Sequence, residues 1–370
     1  MIRVSEPVVT DADIRSVVEV LEQGFLSGES PPVETFERQV ASAINRRCAV
    51  AVSSGSAALD VLWSSTRIGP GDEVVVPSFA IASTIFQIVR EGAIPVFVDV
   101  DRATWNSTPE QIGMAISPRT KAVLAVHTYG LPVDMPRVLD VCSQRDIPVY
   151  EDAAEAHGLL IGNRLAGSFG KASILSFYAN KNATCGEGGM LLTDDEATAA
   201  EARSLRNLSF SPNQRFVHHR MGWNYRMSAL QAALGASQFA RLGETIAKRR
   251  IIAKWYRERL EDLEELDLAP PATHLGLNDY WVFGLVLNEK AKLSRPQIVE
   301  RLLADGIETR PFFHPLHLQP FLRDLPQIRS TGLANTEFIG TRGLYLPNGL
   351  GISESTVDRV CSSLRRVLRG

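Results

Sequence analysis

The stretch Cys48-Ala49-Val50-Ala51-Val52-Ser53-Ser54-Gly55-Ser56-Ala57-Ala58-Leu59 passes from an apolar run through small residues into a helical pattern. It reads as a strand, a tight turn and a helix. The same rhythm continues downstream: apolar segments at 73–76, 94–98, 122–126 and 147–150 alternate with helical patterns that begin at Ile81, near Pro109 and at Asp134. A parallel strand pair needs a crossover to return the chain, usually a helix. The alternation therefore predicts an α/β protein with a mostly parallel central sheet, buried on both faces, over residues 48–210.

Working outward, Ile14, Val17, Val18 and Leu21 fall at helical spacing between Thr10, a capping residue, and Gly24, a stop, and a second helix follows Pro32. Beyond the sheet, a polar stretch at 209–220 precedes one long helical pattern over 228–263. The segment 268–272, with Pro270 and Pro271, reads as a linker. After it come a strand over 280–287, a helix following Ser294 and a last helix over 354–369. This order predicts a large domain over 1–264, including the N-terminal helices, and a smaller α+β domain over 265–370. The basic run Arg365, Arg366 and Arg369 reads as a solvated helix end that complements the dipole.

The 370 residues are 45% hydrophobic and 22% charged, which excludes a disordered or low-complexity chain and is enough to bury a large core without disulfides. A net charge of −3 provides no broad basic field for nucleic acid or an anionic membrane, so any bound anion must be held locally. The four cysteines, Cys48, Cys142, Cys185 and Cys361, are scattered without C-x-x-C or metal-ligand spacing, so a reducing, cytoplasmic location and no metal are expected. The N-terminus lacks an apolar signal core, and no run is long enough to span a bilayer, so neither export nor a membrane partner is expected.

Three motifs carry candidate chemistry. In Ser53-Ser54-Gly55-Ser56-Ala57, unpaired N–H groups at a helix start suit a phosphate, and the small side chains at Gly55, Ser56 and Ala57 admit close approach; an ordinary capped helix start fits the same residues. In Glu151-Asp152-Ala153-Ala154-Glu155-Ala156-His157, Asp152 stands at the carboxyl end of a strand, where open α/β sheets bind ligands. It fits either a capping role or the partner of a protonated ring nitrogen, as pyridoxal phosphate requires. His157 reads as a core histidine. In Ser176-Phe177-Tyr178-Ala179-Asn180-Lys181 through Gly189, no carboxylate lies within five positions of Lys181. The lysine fits a surface charge or, if withdrawn from water, a nucleophilic amine of lowered pKa.

The order of these three motifs, with Glu151-Asp152-Ala153-Ala154-Glu155-Ala156, Ser176-Phe177-Tyr178, Lys181 and Gly186-Glu187-Gly188-Gly189, resembles the DegT/DnrJ/EryC1/StrS family of sugar aminotransferases over essentially the whole chain. The resemblance implies a fold-type-I transferase, pyridoxal 5'-phosphate as cofactor, work in deoxysugar and polysaccharide biosynthesis, and a homodimer with shared active sites. By resemblance, Lys181 matches the Schiff-base lysine and Asp152 the partner of the pyridine nitrogen. Ser56, Ala57 and Ser176 match phosphate contacts, Glu155 lies near the ring hydroxyl, and Asn224 reaches the neighbouring subunit's cofactor, with Arg226 an alternative. Many relatives carry a stacking aromatic at the position of Ile81, which cannot stack; Phe79 or another ring is the candidate substitute. Relatives with histidine in place of the lysine dehydrate instead of transaminating, and Lys181 sets this chain apart from them.

Three stretches, 176–181, 306–313 and 343–348, are most similar to a sub-branch acting on GDP-linked 4-keto-6-deoxymannose, with L-glutamate as amino donor. For the substrate, Arg310 suits a diphosphate or a donor carboxylate. His314, His317, His127, Tyr129 and Glu187 are further candidates. A 3-keto sugar, a dTDP or UDP carrier and a keto-sugar acid remain open. A nicotinamide oxidoreductase fits the alternation less well, because no G-x-G-x-x-G follows the first strand.

Overall fold

The computed structural model describes residues 1–211, 213–323 and 328–369. The strands read from the sequence are β1 (Cys48–Val52), β2 (Glu73–Pro77), β3 (Ile94–Val98), β4 (Thr120–Val126) and β5 (Val149–Asp152). Together with Ala172–Ser176, Gly189–Thr193 and Arg329–Ser330 they form one sheet, ordered β1, Gly189–Thr193, Ala172–Ser176, β5, β4, β2, β3, Arg329–Ser330. Gly189–Thr193 alone among them runs against its neighbours, antiparallel both to β1 and to Ala172–Ser176.

Alternating side chains feed two cores, one on each face. Val74 and Val76 of β2 join Leu59, Leu62 and Trp63 from the helix Gly55–Thr66, whereas Val75 joins Phe36 and Val40 from the helix Pro31–Ile44. Burial on both faces is why these strands read as continuous apolar runs.

A second, antiparallel sheet, ordered Leu266–Leu268, Phe283–Leu287, Gly343–Leu346 and Arg310–Pro311, is covered by the helices Leu242–Leu260, Arg295–Ala304 and Glu354–Arg369. Its core takes Ile252, Tyr256 and Leu260 from upstream of residue 265, while Arg329–Ser330, far downstream, pairs with β3.

Thr10 caps the first helix as expected, and it does so in a capping box with Asp13. The single helix expected over 228–263 is two, Ala229–Ala240 and Leu242–Leu260; they part at Arg241, whose guanidinium is bound to the buried Asp13 carboxylate at 2.6 Å. The strand expected over 147–150 begins at Val149 and continues through Glu151 and Asp152. The strand expected from Tyr280 begins at Phe283, since Tyr280 has φ +50° and leaves the extended conformation. Among the described residues, no helix is long and apolar enough to cross a membrane, and no His, Cys, Asp or Glu cluster is suited to a metal ion.

Candidate active site

β1, β5 and Ala172–Ser176 all end at the same edge of the sheet, and the reversed strand begins there, Ser176 lying opposite Gly189. Close approach at this edge demands glycine. A Cβ on Gly189 would lie 2.1 Å from the Ser54 carbonyl oxygen, and one on Gly55 would lie 2.8 Å from Ser176 Cβ. Above the edge opens a cavity of about 330 Å³, lined also by Trp281, Arg310, Phe313 and Tyr345 from the C-terminal part of the chain.

At the floor, Ser54 caps the helix Gly55–Thr66, its Oγ accepting the Ala57 N–H at 3.0 Å. That leaves the Gly55 and Ser56 N–H groups at the positive helix end for an anion, with Ser176 beside them in the cavity wall. Ala57 is buried and does not line the cavity.

Asp152 faces the cavity at 2% exposure. Its one hydrogen bond is accepted from the Ala154 N–H at 3.0 Å, and burial pushes its carboxyl upward from the usual range. A buried carboxylate with so few partners is matched to a cation or a charged N–H donor that enters with a ligand.

Lys181 Nζ lies 3.6 Å from Glu155 Oε1 and 3.7 Å from the centroid of the Trp281 ring. Burial lowers the amine's pKa, opposed by the charges of Glu155 and Asp152. Burial likewise raises Glu155, whose other oxygen accepts the Tyr129 N–H at 3.1 Å. A helix end for a phosphate, an under-satisfied buried acid and a withdrawn amine share one cavity, and this set fits pyridoxal phosphate.

The other sequence candidates divide. Ile81, half exposed, Glu187 and Arg310 line the cavity. His127, fully buried, is engaged by Glu151 Oε1 at 2.8 Å and by the Val133 N–H at 3.0 Å, so it braces the strand ends. Tyr129 holds Glu155 through its backbone and accepts the Phe313 N–H on its hydroxyl. His317 contacts Ser78 and Glu337, and His314 is exposed; neither lines the cavity. Arg226 donates to Asn207 at 2.5 Å, and Asn224 is exposed away from the cavity. Phe79 is fully buried among Tyr129, Phe312 and Phe313 and does not reach the cavity. Trp281 is the ring beside Lys181. The sequence reading passed over it, and its only local signal was an aromatic cluster, Tyr280-Trp281-Val282-Phe283, entering a strand.

A mostly parallel sheet bearing this set at its carboxyl edge defines a pyridoxal-phosphate-dependent transferase of fold type I. Comparison with known proteins gives the particular lineage. The chain belongs to the DegT/DnrJ/EryC1/StrS aminotransferase family, whose model matches residues 7–365, and it is a pyridoxal-phosphate-dependent sugar aminotransferase. It is 36% identical to a GDP-perosamine synthase of Caulobacter vibrioides, covering 95% of this chain and 94% of that protein. It is 31% identical to a GDP-perosamine synthase of Vibrio cholerae, covering 99% and 98%. Among solved structures, the aminotransferase TlmJ of Streptoalloteichus hindustanus superposes with a TM-score of 0.90 at 30% identity, covering 100% of this chain and 99% of that one. An E. coli GDP-4-keto-6-deoxy-D-mannose-3-dehydratase with bound hydrated PLP gives 0.91 at 25% identity, covering 98% and 100%.

Proposed function

We propose that the enzyme transfers the amino group of L-glutamate to a GDP-linked 4-keto-6-deoxymannose, giving a perosamine-type product, and that it acts as a cytoplasmic homodimer. The observation that carries the chemistry is the pairing, in one cavity, of the under-satisfied Asp152 with the withdrawn amine of Lys181. The substrate assignment is supported by near full-length similarity to GDP-perosamine synthases.

When bound, pyridoxal phosphate supplies an aldehyde that takes up an amino group and a ring that accepts electrons. Asp152 holds a proton at the ring nitrogen. Lys181 Nζ serves as nucleophile and as the base and acid that move a proton at the substrate carbon. Glu155, held by Tyr129, places a carboxylate 3.6 Å from the amine and so favours its charged form. Gly55, Ser56 and Ser176 bind the phosphate, which fixes the cofactor while no covalent bond does. Arg310, exposed at the cavity rim, takes the donor carboxylate or the nucleotide diphosphate in its planar fork. Ile81, in the cavity wall, would supply an apolar surface for the ring. Asn224, exposed outside its own cavity, reaches the cofactor phosphate of the neighbouring copy.

The test is a panel of keto-sugar nucleotides, GDP-, dTDP- and UDP-linked, offered with L-glutamate while the cofactor absorption is followed. Turnover of the GDP-linked 4-keto sugar alone is expected. Preference for a dTDP sugar would move the nucleotide assignment; the chain is 33% identical to DesI, a structure determined with its TDP-sugar product. Borohydride reduction followed by peptide mapping should find the label on Lys181.

A further inference from the structure

Catalysis by Lys181 requires its amine to leave the cofactor, stay in the cavity and return. In the structure the Lys181 amine has a definite seat. Nζ lies 3.7 Å from the centroid of the Trp281 indole, and the nearest carboxylate oxygen, Glu155 Oε1, is 3.6 Å away, too far for a short hydrogen bond. The indole is 5% exposed and firmly mounted. Its Nε1–H donates at 2.9 Å to the carbonyl of Asn180, the residue just before the lysine. Its ring lies 5.9 Å from that of Tyr129, whose N–H holds Glu155. The backbone of residues 280–281 comes this close because residue 130 is glycine: a Cβ there would meet the Tyr280 nitrogen at 2.7 Å.

We propose that Trp281 is a positioning residue for the amino transfer: its indole face is the seat of the Lys181 amine whenever that amine is not bonded to the cofactor, and its ring N–H ties the seat to the loop that carries the lysine. The inference rests on the role assigned to Lys181 above. An aromatic face suits this task because it attracts an ammonium but accepts no proton. A carboxylate in direct contact would hold the amine charged strongly and delay its return, whereas the ring favours the ammonium only modestly and offers its proton no acceptor. The groups facing the seat are Asp152 at the end of β5 and Glu155 and His157 just beyond it; Glu187, Arg310 and Tyr345 line the same cavity.

The experiment compares the wild type with Trp281→Phe, which keeps a ring face but loses the N–H, and Trp281→Leu, which loses both. Each holoenzyme is first reduced with borohydride and peptide-mapped. A label absent from Lys181 in the wild type would refute the lysine's role itself. Each is then converted with excess L-glutamate to the form in which the lysine is free, and Lys181 is competitively acetylated with acetic anhydride across about pH 6 to 11, its midpoint read by mass spectrometry. Loss of the indole removes a stabiliser of the charged amine, so the Trp281→Leu midpoint should fall by about one pH unit, a tenfold change in proton affinity, with Trp281→Phe between the two. The Trp281→Leu kcat should fall more than its KM rises. An unchanged or raised Trp281→Leu midpoint would mean that the indole only fills space and excludes water, and would overturn the proposal. Should Trp281→Leu fail to fold, Trp281→Phe decides alone: a midpoint equal to wild type with unchanged kcat overturns it.

Discussion

Glu151 and Asp152 are neighbours on one strand, both essentially buried, yet they face opposite sides of the sheet and meet opposite fates. Glu151 accepts from the Gly167 N–H at 2.6 Å and the Phe169 N–H at 3.0 Å, and His127 Nε2 lies 2.8 Å from it. Every direction around that carboxylate is answered by the protein. Asp152 has the single Ala154 N–H and an open cavity. A buried charge that the fold satisfies is structure, and one that the fold leaves short is a place for a ligand. The contrast separates two residue roles that sequence position alone makes look alike.

Three substitutions sharpen or break this contrast. Lys181→Ala should lower amino transfer by at least about 10⁴-fold, since both nucleophile and proton carrier are lost, while far-ultraviolet circular dichroism stays native. Asp152→Asn should lower kcat on the order of 10²- to 10³-fold, with unfolding by urea little changed, because its partner arrives with the cofactor. Glu151→Ala should do the reverse: about 3 kcal/mol or more of stability lost in urea titration, through stranded N–H groups and an unpaired His127, with the folded fraction still active. If Glu151→Ala instead behaves like Asp152→Asn, the two faces are not distinct.

The smallest effect concerns His157, buried and neutral, with a pKa pushed down by burial to about 3 from 6.5. The unfolded chain takes up a proton below about pH 6.5 that the folded one refuses until near pH 3, so folding stability falls across that window. Between pH 7.5 and 5 the loss is about 2 kcal/mol, and His157→Gln should remove that slope in urea titrations at the two values.

The parts legible in the sequence were those whose partners are local. Alternating apolar runs give βαβ order directly, and Ser54 to Ala57, Asp152 and Lys181 each sit beside a strand end that can be read from flanking residues. What eluded sequence reading arrives from far along the chain. Lys181 has no carboxylate among its sequence neighbours, but the fold places Glu155 beside it. Trp281 comes from about 100 residues downstream. His127 and His317 looked like pocket residues because they are polar and near strand or loop ends; the pleat turns one toward Glu151, and the other spans Ser78 and Glu337. Polarity marks such residues, but only register decides which side they serve.

The reversed strand Gly189–Thr193 carries a further implication. Because Ser176 and Gly189 lie opposite one another in an antiparallel pair, the segment between them leaves and rejoins the sheet at a single point, as a hairpin does. The amine and the small residues around it therefore ride on one hairpin-like excursion instead of a crossover. A protein engineer could exchange that segment between relatives without disturbing the scaffold's strand order, provided that the residues matching Glu155 and Trp281, which face the amine from outside it, are exchanged with it.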